Sequence, residues 1–218
     1  MAVSAGICHA LGLLDNGQVV CWGIDQDGAV SGMENAMRGE RRPCVAISAG
    51  WHCSLALLDD GRVVCWGDHY WCYENGVKRA LPTDRRYVAI HARFPVGLLN
   101  NGDIIMSHRC LPRGYESTWR DEVVHCHGLI DITAGQGCVL GLLENGQVIG
   151  WGRNDNDGQI TGGTKALKSS GGDRYIAIAA GLSFSVGLTN NGRIVFWGST
   201  WGVNERMASP PAGRHFVV

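Results

Sequence analysis

Near its start the sequence reads Ala5-Gly6-Ile7-Cys8-His9-Ala10-Leu11-Gly12-Leu13-Leu14-Asp15-Asn16-Gly17-Gln18-Val19-Val20-Cys21-Trp22-Gly23. Two apolar runs, residues 10–14 and 18–22, flank Asn16-Gly17. Asn-Gly between apolar runs is the strongest short hairpin signal, and the turn expected is type I′, with positive φ at both central residues.

The same order of features recurs along the chain: Ala-Gly, a short variable segment, an apolar run, an Asx-Gly turn, a second apolar run, then Trp-Gly. Further copies run from Ala49-Gly50 through Asp60-Gly61 to Trp66-Gly67, from Ala134-Gly135 through Asn145-Gly146 to Trp151-Gly152, and from Ala180-Gly181 through Asn191-Gly192 to Trp197-Gly198. Another copy is degraded: Ala92 opens it, Asn101-Gly102 makes its turn, and Ser107-His108 replaces Trp-Gly. The turn glycines Gly17, Gly61, Gly102, Gly146 and Gly192 lie 44, 41, 44 and 46 residues apart. That period is close to the ~40–45 residues of a four-stranded propeller blade.

A further apolar run precedes each Ala-Gly: Cys44-Val45-Ala46-Ile47, Tyr87-Val88-Ala89-Ile90, Leu129-Ile130-Asp131-Ile132 and Tyr175-Ile176-Ala177-Ile178. These runs read as strands buried on both faces. No segment carries a 3.6-residue apolar stripe. The predicted fold is a single all-β domain, residues 1–218, forming a propeller of five four-stranded blades at about 1–44, 45–86, 87–129, 130–174 and 175–218. Arg214-His215-Phe216-Val217-Val218 matches the runs at Tyr87 and Tyr175, and Met1-Ala2-Val3-Ser4-Ala5-Gly6 matches Val45-Ala46-Ile47-Ser48-Ala49-Gly50. The ring is therefore expected to close by pairing of N- and C-terminal strands, which removes sheet edges.

Composition bounds the function. The chain has 218 residues, 18% of them charged, with a formal net charge of −1. This lacks the basic footprint of a nucleic-acid-binding domain, so direct nucleic-acid binding is not expected. Glycine, at 32 residues against 6 prolines, sits beside the apolar runs and marks turns rather than disorder. No apolar stretch reaches membrane-spanning length, and residues 1–6 lack the features of a signal peptide. An intracellular protein, cytoplasmic or nuclear and without a membrane partner, is the expectation. The 9 cysteines, an odd count, argue against a full disulfide framework. Cross-strand pairs Cys8–Cys21 and Cys53–Cys65 are conceivable, but buried free thiols are the simpler reading.

These repeats resemble those of the RCC1 family, which carry an Ala-Gly-x-x-His-(Ser/Thr)-x-Ala-Leu stretch, an Asp-Gly turn, and Trp-Gly-x-Asn-x-x-Gly-Gln-Leu-Gly. The nearest match to the last element is Trp151-Gly152-Arg153-Asn154-Asp155-Asn156-Asp157-Gly158-Gln159-Ile160-Thr161-Gly162. The family's histidine position holds His9, Cys53, Cys138 and Phe184 in four copies. The resemblance implies RCC1-type propeller blades. It also implies a range of roles, including guanine-nucleotide exchange on a small GTPase, so fold does not settle function.

No nucleophile elbow, phosphate loop or metalloprotease motif is present, and no enzyme activity or cofactor is expected. A metal site drawn from His69 and Cys72, or from Cys110, His125, Cys126 and His127, lacks the paired spacing zinc prefers, and none is expected. The carboxylates Asp25, Asp27, Asp155 and Asp157 after Trp-Gly read as turn residues bonding their own backbone. Trp22, Trp66, Trp151 and Trp197 recur with the repeat and read as core. Aromatic and histidine side chains outside the repeat pattern are the partner-binding candidates: Trp51, His69, Tyr70, Trp71, Tyr73, Tyr115, Trp119 and Trp201. The degraded copy, residues 92–113, and the following residues 114–120 are the expected specialised surface. The predicted function is non-catalytic binding of another protein, or a structural role in an assembly. Nucleotide exchange on a small GTPase and carbohydrate binding are the alternatives.

Overall fold

Each Asx-Gly turn folds the same way. The Gly17 N–H donates to the Leu14 carbonyl at 3.1 Å, and the Leu14 N–H donates to the Gln18 carbonyl at 2.8 Å. Gly17 has φ +80, and Asp27 is the one non-glycine residue with positive φ among the described residues. The turn is therefore a three-residue loop, a type I turn closed by a left-handed glycine, and not the expected type I′. The residue before glycine earns its place by a side-chain bond. The Asn16 Oδ1 accepts the Gln18 N–H at 3.0 Å, and Asn145 does the same for Gln147 at 2.9 Å. Asp60 holds the Arg62 N–H at 3.0 Å. An Asx side chain satisfies a turn donor that the hairpin leaves open.

In this computed structural model the described residues are 1–68, 84–93, 96–106, 122–135, 138–152, 158–160, 162 and 172–199. They form two compact units. The first holds three sheets. These are β1 (Ala2–Ala5), β2 (His9–Leu13) and β3 (Val19–Gly23); β4 (Cys44–Ala49), β5 (Cys53–Leu58) and β6 (Val63–Gly67); and β7 (Tyr87–His91), β8 (Val96–Leu99), β9 (Ile104–Met106) and β10 (Glu122–Val124). The second unit holds β11 (Leu129–Ala134), β12 (Cys138–Leu143) and β13 (Val148–Gly152), then β14 (Tyr175–Ala180), β15 (Phe184–Thr189) and β16 (Ile194–Gly198). Every sheet is antiparallel in chain order. Four sheets have three strands among the described residues, and the third has four. In the first repeat the segment after β3 makes a short helix, α1 (Gly32–Ala36), in place of a fourth strand. Five residues are too few to show an apolar stripe in sequence. Met33, Ala36 and Met37 nonetheless pack onto the core around Trp66.

Sheets stack face to face within each unit. All six residues of β5 are buried. Leu55 and Leu57 join Cys65, Tyr87, Leu99 and Ile105, whereas Ala56 and Leu58 join Leu11, Leu13, Val19 and Trp66. The two-residue alternation of a strand thus feeds two cores at once. In the second unit Leu140, Leu142 and Val148 meet Tyr175, Ile178 and Trp197.

The strand before Ala-Gly departs from expectation. Its pairing shifts register at one place in four repeats, between Cys44 and Ala46, Tyr87 and Ala89, Leu129 and Asp131, and Tyr175 and Ala177. The skipped residues, Val45, Val88, Ile130 and Ile176, are 54%, 47%, 52% and 41% exposed. A bulge turns its extra residue out of the ladder, so these positions are not buried on both faces.

Successive repeats are stitched at three points. The carbonyls of Gly17, Gly61 and Gly146 accept the N–H groups of Cys44, Tyr87 and Tyr175, each at 3.0 Å. The hydroxyls of Ser4, Ser48 and Thr133 accept the N–H groups of Ala49, Ala92 and Ala180 at 2.9, 2.9 and 3.3 Å. The Trp66 indole donates to the Ala29 carbonyl at 2.9 Å, and the Trp197 indole to the Gln159 carbonyl at 2.7 Å. Ser54 and Ser185 donate to those same carbonyls at 3.2 and 3.3 Å. Trp66 and Trp197 are 4% and 5% exposed, as expected of core residues, but Trp22 is 48% exposed.

Candidate partner-binding surface

The loops between the first two strands of each sheet carry the variable part of the repeat. In the first unit they are drawn together by glycine. A Cβ on Gly50 would lie 2.5 Å from the Ala92 carbonyl oxygen, and one on Gly6 would overlap the Gly50 carbonyl. Gly135 approaches the Gly181 carbonyl in the same way in the second unit. No side chain fits such an approach, which explains the recurring Ala-Gly. Arg93 stands where the third repeat would carry that glycine.

This packing sets Trp51 beside Arg93. The guanidinium carbon lies 5.7 Å from the Trp51 ring centre, a cation–π stack. Both side chains are half-buried. The Trp51 Nε1 and Arg93 Nε groups are buried without a hydrogen-bond partner. Such donors are rare, because each orphan costs about 1–3 kcal/mol. Next to Trp51, His52 places Nδ1 at 3.1 Å from Asp27 Oδ2, out of line for a hydrogen bond. Asp27 is held at φ +56 in the turn after β3.

Two further histidines flank the loops. His9 Nε2 lies 2.9 Å from the Ser54 hydroxyl, so the histidine position of the first repeat ties into the Ser54–Ala29 link. Burial, then the nearby His52, lowers the His9 pKa. His91 takes the place of Ser4 and Ser48 in the stitching pattern, and its buried Nδ1 has no partner. Burial, then Arg93, lowers its pKa to about 4, so the ring is neutral at pH 7.

Of the partner-binding candidates read from sequence, Trp51 falls in this cluster. His69, Tyr70, Trp71, Tyr73, Tyr115, Trp119 and Trp201 lie outside the described residues. So do Cys72 and Cys110 of the metal reading, and Asp155 and Asp157. His125 Nδ1 bonds Asp103 Oδ1 at 2.9 Å, and Asp103 also takes Arg85 at 2.7 Å. No group of three metal-ligating side chains converges among the described residues. Asp25 accepts the N–H groups of Val30 and Ser31 at 2.8 and 3.0 Å, as a turn residue. Cys8, Cys21 and Cys53 are free thiols. The strand registers set Cys65 opposite Leu55 and Cys53 opposite Gly67, so that pair does not face across the hairpin. Sequence reasoning singled out neither Arg93 nor His91 individually. The signal was there: Arg93 interrupts Ala-Gly, and His91 interrupts the small hydroxyl residue before it.

Repeated antiparallel sheets clipped to one another through tryptophan and Ala-Gly define a β-propeller type of repeat protein. The sequence pattern described as the "Regulator of chromosome condensation (RCC1) repeat" matches residues 2–29 and 44–70. The chain thus carries the RCC1-type repeat pattern over these two stretches. Its fold is similar to the ectodomain of the receptor kinase CR4 from Physcomitrella patens, at 20% identity and TM-score 0.71, over 99% of this chain and 56% of that one. Human WBSCR16 aligns at 18% identity and TM-score 0.70, over 90% of this chain and 61% of that one. Prp20p of Saccharomyces cerevisiae aligns at 16% identity and TM-score 0.72, over 97% and 59%. The chain thus spans 56–61% of the length of these three structures. No curated protein matches it in sequence. No helix among the described residues is long and apolar enough to cross a membrane.

Proposed function

We propose that this chain is a non-catalytic propeller module that binds another protein, inside the cell, through the loop face carrying Trp51, His52 and Arg93. The observation that carries the reading is the Trp51–Arg93 stack with its two unpartnered N–H groups. Tryptophan and arginine are the side chains that dominate protein-binding hot spots. Binding is also what the similar protein Prp20p is known by: it has binding properties towards Gsp1p and histones, and it has been crystallised with Kap60. Free, buried thiols at Cys44 and Cys53 suit a reducing compartment.

The test is a photo-cross-linking amino acid at position 51, with position 18 in an exposed turn as control, in native extract. A discrete adduct from position 51 alone is expected. No adduct, or the same one from both positions, overturns the reading. The exchange-factor alternative is favoured by the likeness to Prp20p, and acceleration of nucleotide release from a small GTPase is its test. Carbohydrate binding has less support, because Trp66 and Trp197 are buried rather than presented to a sugar.

The propeller itself is proposed to be a closed ring of five four-stranded blades, with residues 214–218 joining the first sheet. Those residues lie outside the described set. Support comes from their match to the first strand of other repeats, and from the open face of the first sheet, where Val3 is 82% exposed.

A further inference from the structure

We propose that the Trp51–Arg93 pair is a receptor for a single carboxylate, an aspartate or glutamate side chain presented by the partner protein. The proposal rests on the reading that this loop face binds a protein, and it names the chemistry recognised.

The two orphaned groups are of one kind. An indole N–H and a guanidinium Nε–H donate and never accept. Both belong to planar groups, and these stack with the guanidinium carbon 5.7 Å from the ring centre. A carboxylate carries two acceptor oxygens on one small planar group, so one oxygen answers each donor. Arg42, Arg62, Arg85 and Arg193 each pair with an aspartate at 3.4, 2.8, 2.7 and 3.2 Å. Arg38, Arg41, Arg86 and Arg174 have no such pair but are exposed to water, whereas Arg93 is half-buried. Arg93 has no such partner among the described residues, and its positive charge is left unanswered on the loop face.

Tryptophan stacking keeps that charge in place. It fixes the guanidinium plane before the ligand arrives, so little side-chain entropy is lost on binding. The neutral His91 adds a polar neighbour without adding a second charge. A phosphate backbone is the poorer ligand. It needs several cations in a row, and here a single arginine stands in the stack. One guanidinium matches one carboxylate at a time.

The test uses the intact chain labelled with nitrogen-15 and follows the tryptophan indole N–H resonances, with Trp51→Phe identifying the Trp51 signal. The probes are a capped hexaglutamate peptide, its hexaglutamine counterpart, and inorganic phosphate, all at matched ionic strength. Hexaglutamate is expected to move the Trp51 indole signal downfield and to saturate. Hexaglutamine is expected to leave it in place, and Arg93→Gln to weaken the hexaglutamate response at least tenfold. An unmoved signal, an equal shift with hexaglutamine or with phosphate, or an unchanged response in Arg93→Gln overturns the proposal. The dispersion of the same spectra reports whether the variant folds, and the wild-type peptide contrast decides without it. A cross-link from position 51 together with silence towards hexaglutamate would remove the carboxylate assignment alone. Loss of the cross-link would remove the binding surface itself.

Discussion

The Trp66 indole of the second repeat donates to the Ala29 carbonyl of the first at 2.9 Å, so the side chain that reads as core also acts as a clip between repeats. The same bond recurs between Trp197 and Gln159 in the second unit. Replacing Trp66 by Phe keeps an aromatic ring but removes the donor. The Ala29 carbonyl keeps its bond from Ser54. A loss of about 1–2 kcal/mol is expected by urea denaturation. Trp22→Phe, at a half-exposed ring, is expected to stay within about 0.5 kcal/mol of wild type. Equal effects at the two positions would contradict the clip.

Gly50 answers a different constraint from a turn glycine. Its missing side chain makes room for the Ala92 carbonyl, 2.5 Å from where a Cβ would stand. Gly50→Ala is expected to cost more than about 2 kcal/mol, since backbone must move to admit the methyl group. Gly28 has φ +78 and nothing within 4 Å of a built Cβ. There Gly28→Ala carries only the left-handed strain, about 1 kcal/mol. Thermal melts of the two variants give the order directly.

His91 makes stability fall in acid. Its folded pKa, about 4, lies below the 6.5 of a free histidine, with burial as the main cause and Arg93 as the second. The unfolded chain therefore takes up the proton first. This contribution is whole above pH 6.5 and is lost as pH falls from 6.5 towards 4, with a total of about 3 kcal/mol. His91→Ser installs the residue type found at Ser4 and Ser48. It is expected to flatten the stability–pH curve over that window, measured by denaturant unfolding at stepped pH.

The bulged residues give a sharp contrast within one strand type. Val88 is 47% exposed, while Leu55 in the central strand β5 is fully buried. Val88→Thr is expected to change stability by less than about 0.5 kcal/mol, and Leu55→Ala to cost about 2–5 kcal/mol. A large loss at Val88 would mean that this strand is buried on both faces after all.

Much of this architecture is written in local chemistry. Asx-Gly between apolar runs marks each hairpin, because the glycine takes the left-handed turn position and the Asx side chain holds the next donor, as at Asn16 and Gln18. The conformer differs from the one expected because a three-residue loop needs positive φ at glycine alone. The bulges were invisible in sequence, since Tyr87-Val88-Ala89-Ile90 is apolar throughout and carries no mark of which residue is expelled. Trp51 stood out as an aromatic side chain outside the repeat. Its partner Arg93, 42 residues on, did not, because pairing follows from sheet stacking and not from spacing.

The sequence by itself determined the repeat, its hairpins and the core role of Trp66 and Trp197, because these depend on the two-residue period of a strand and on the few residues a tight turn admits. Tertiary structure alone decided which donors were left over. Whether an N–H has a partner depends on what the neighbouring repeat brings to within 3 Å or so, and that distance is set by close approaches such as Gly50 on Ala92.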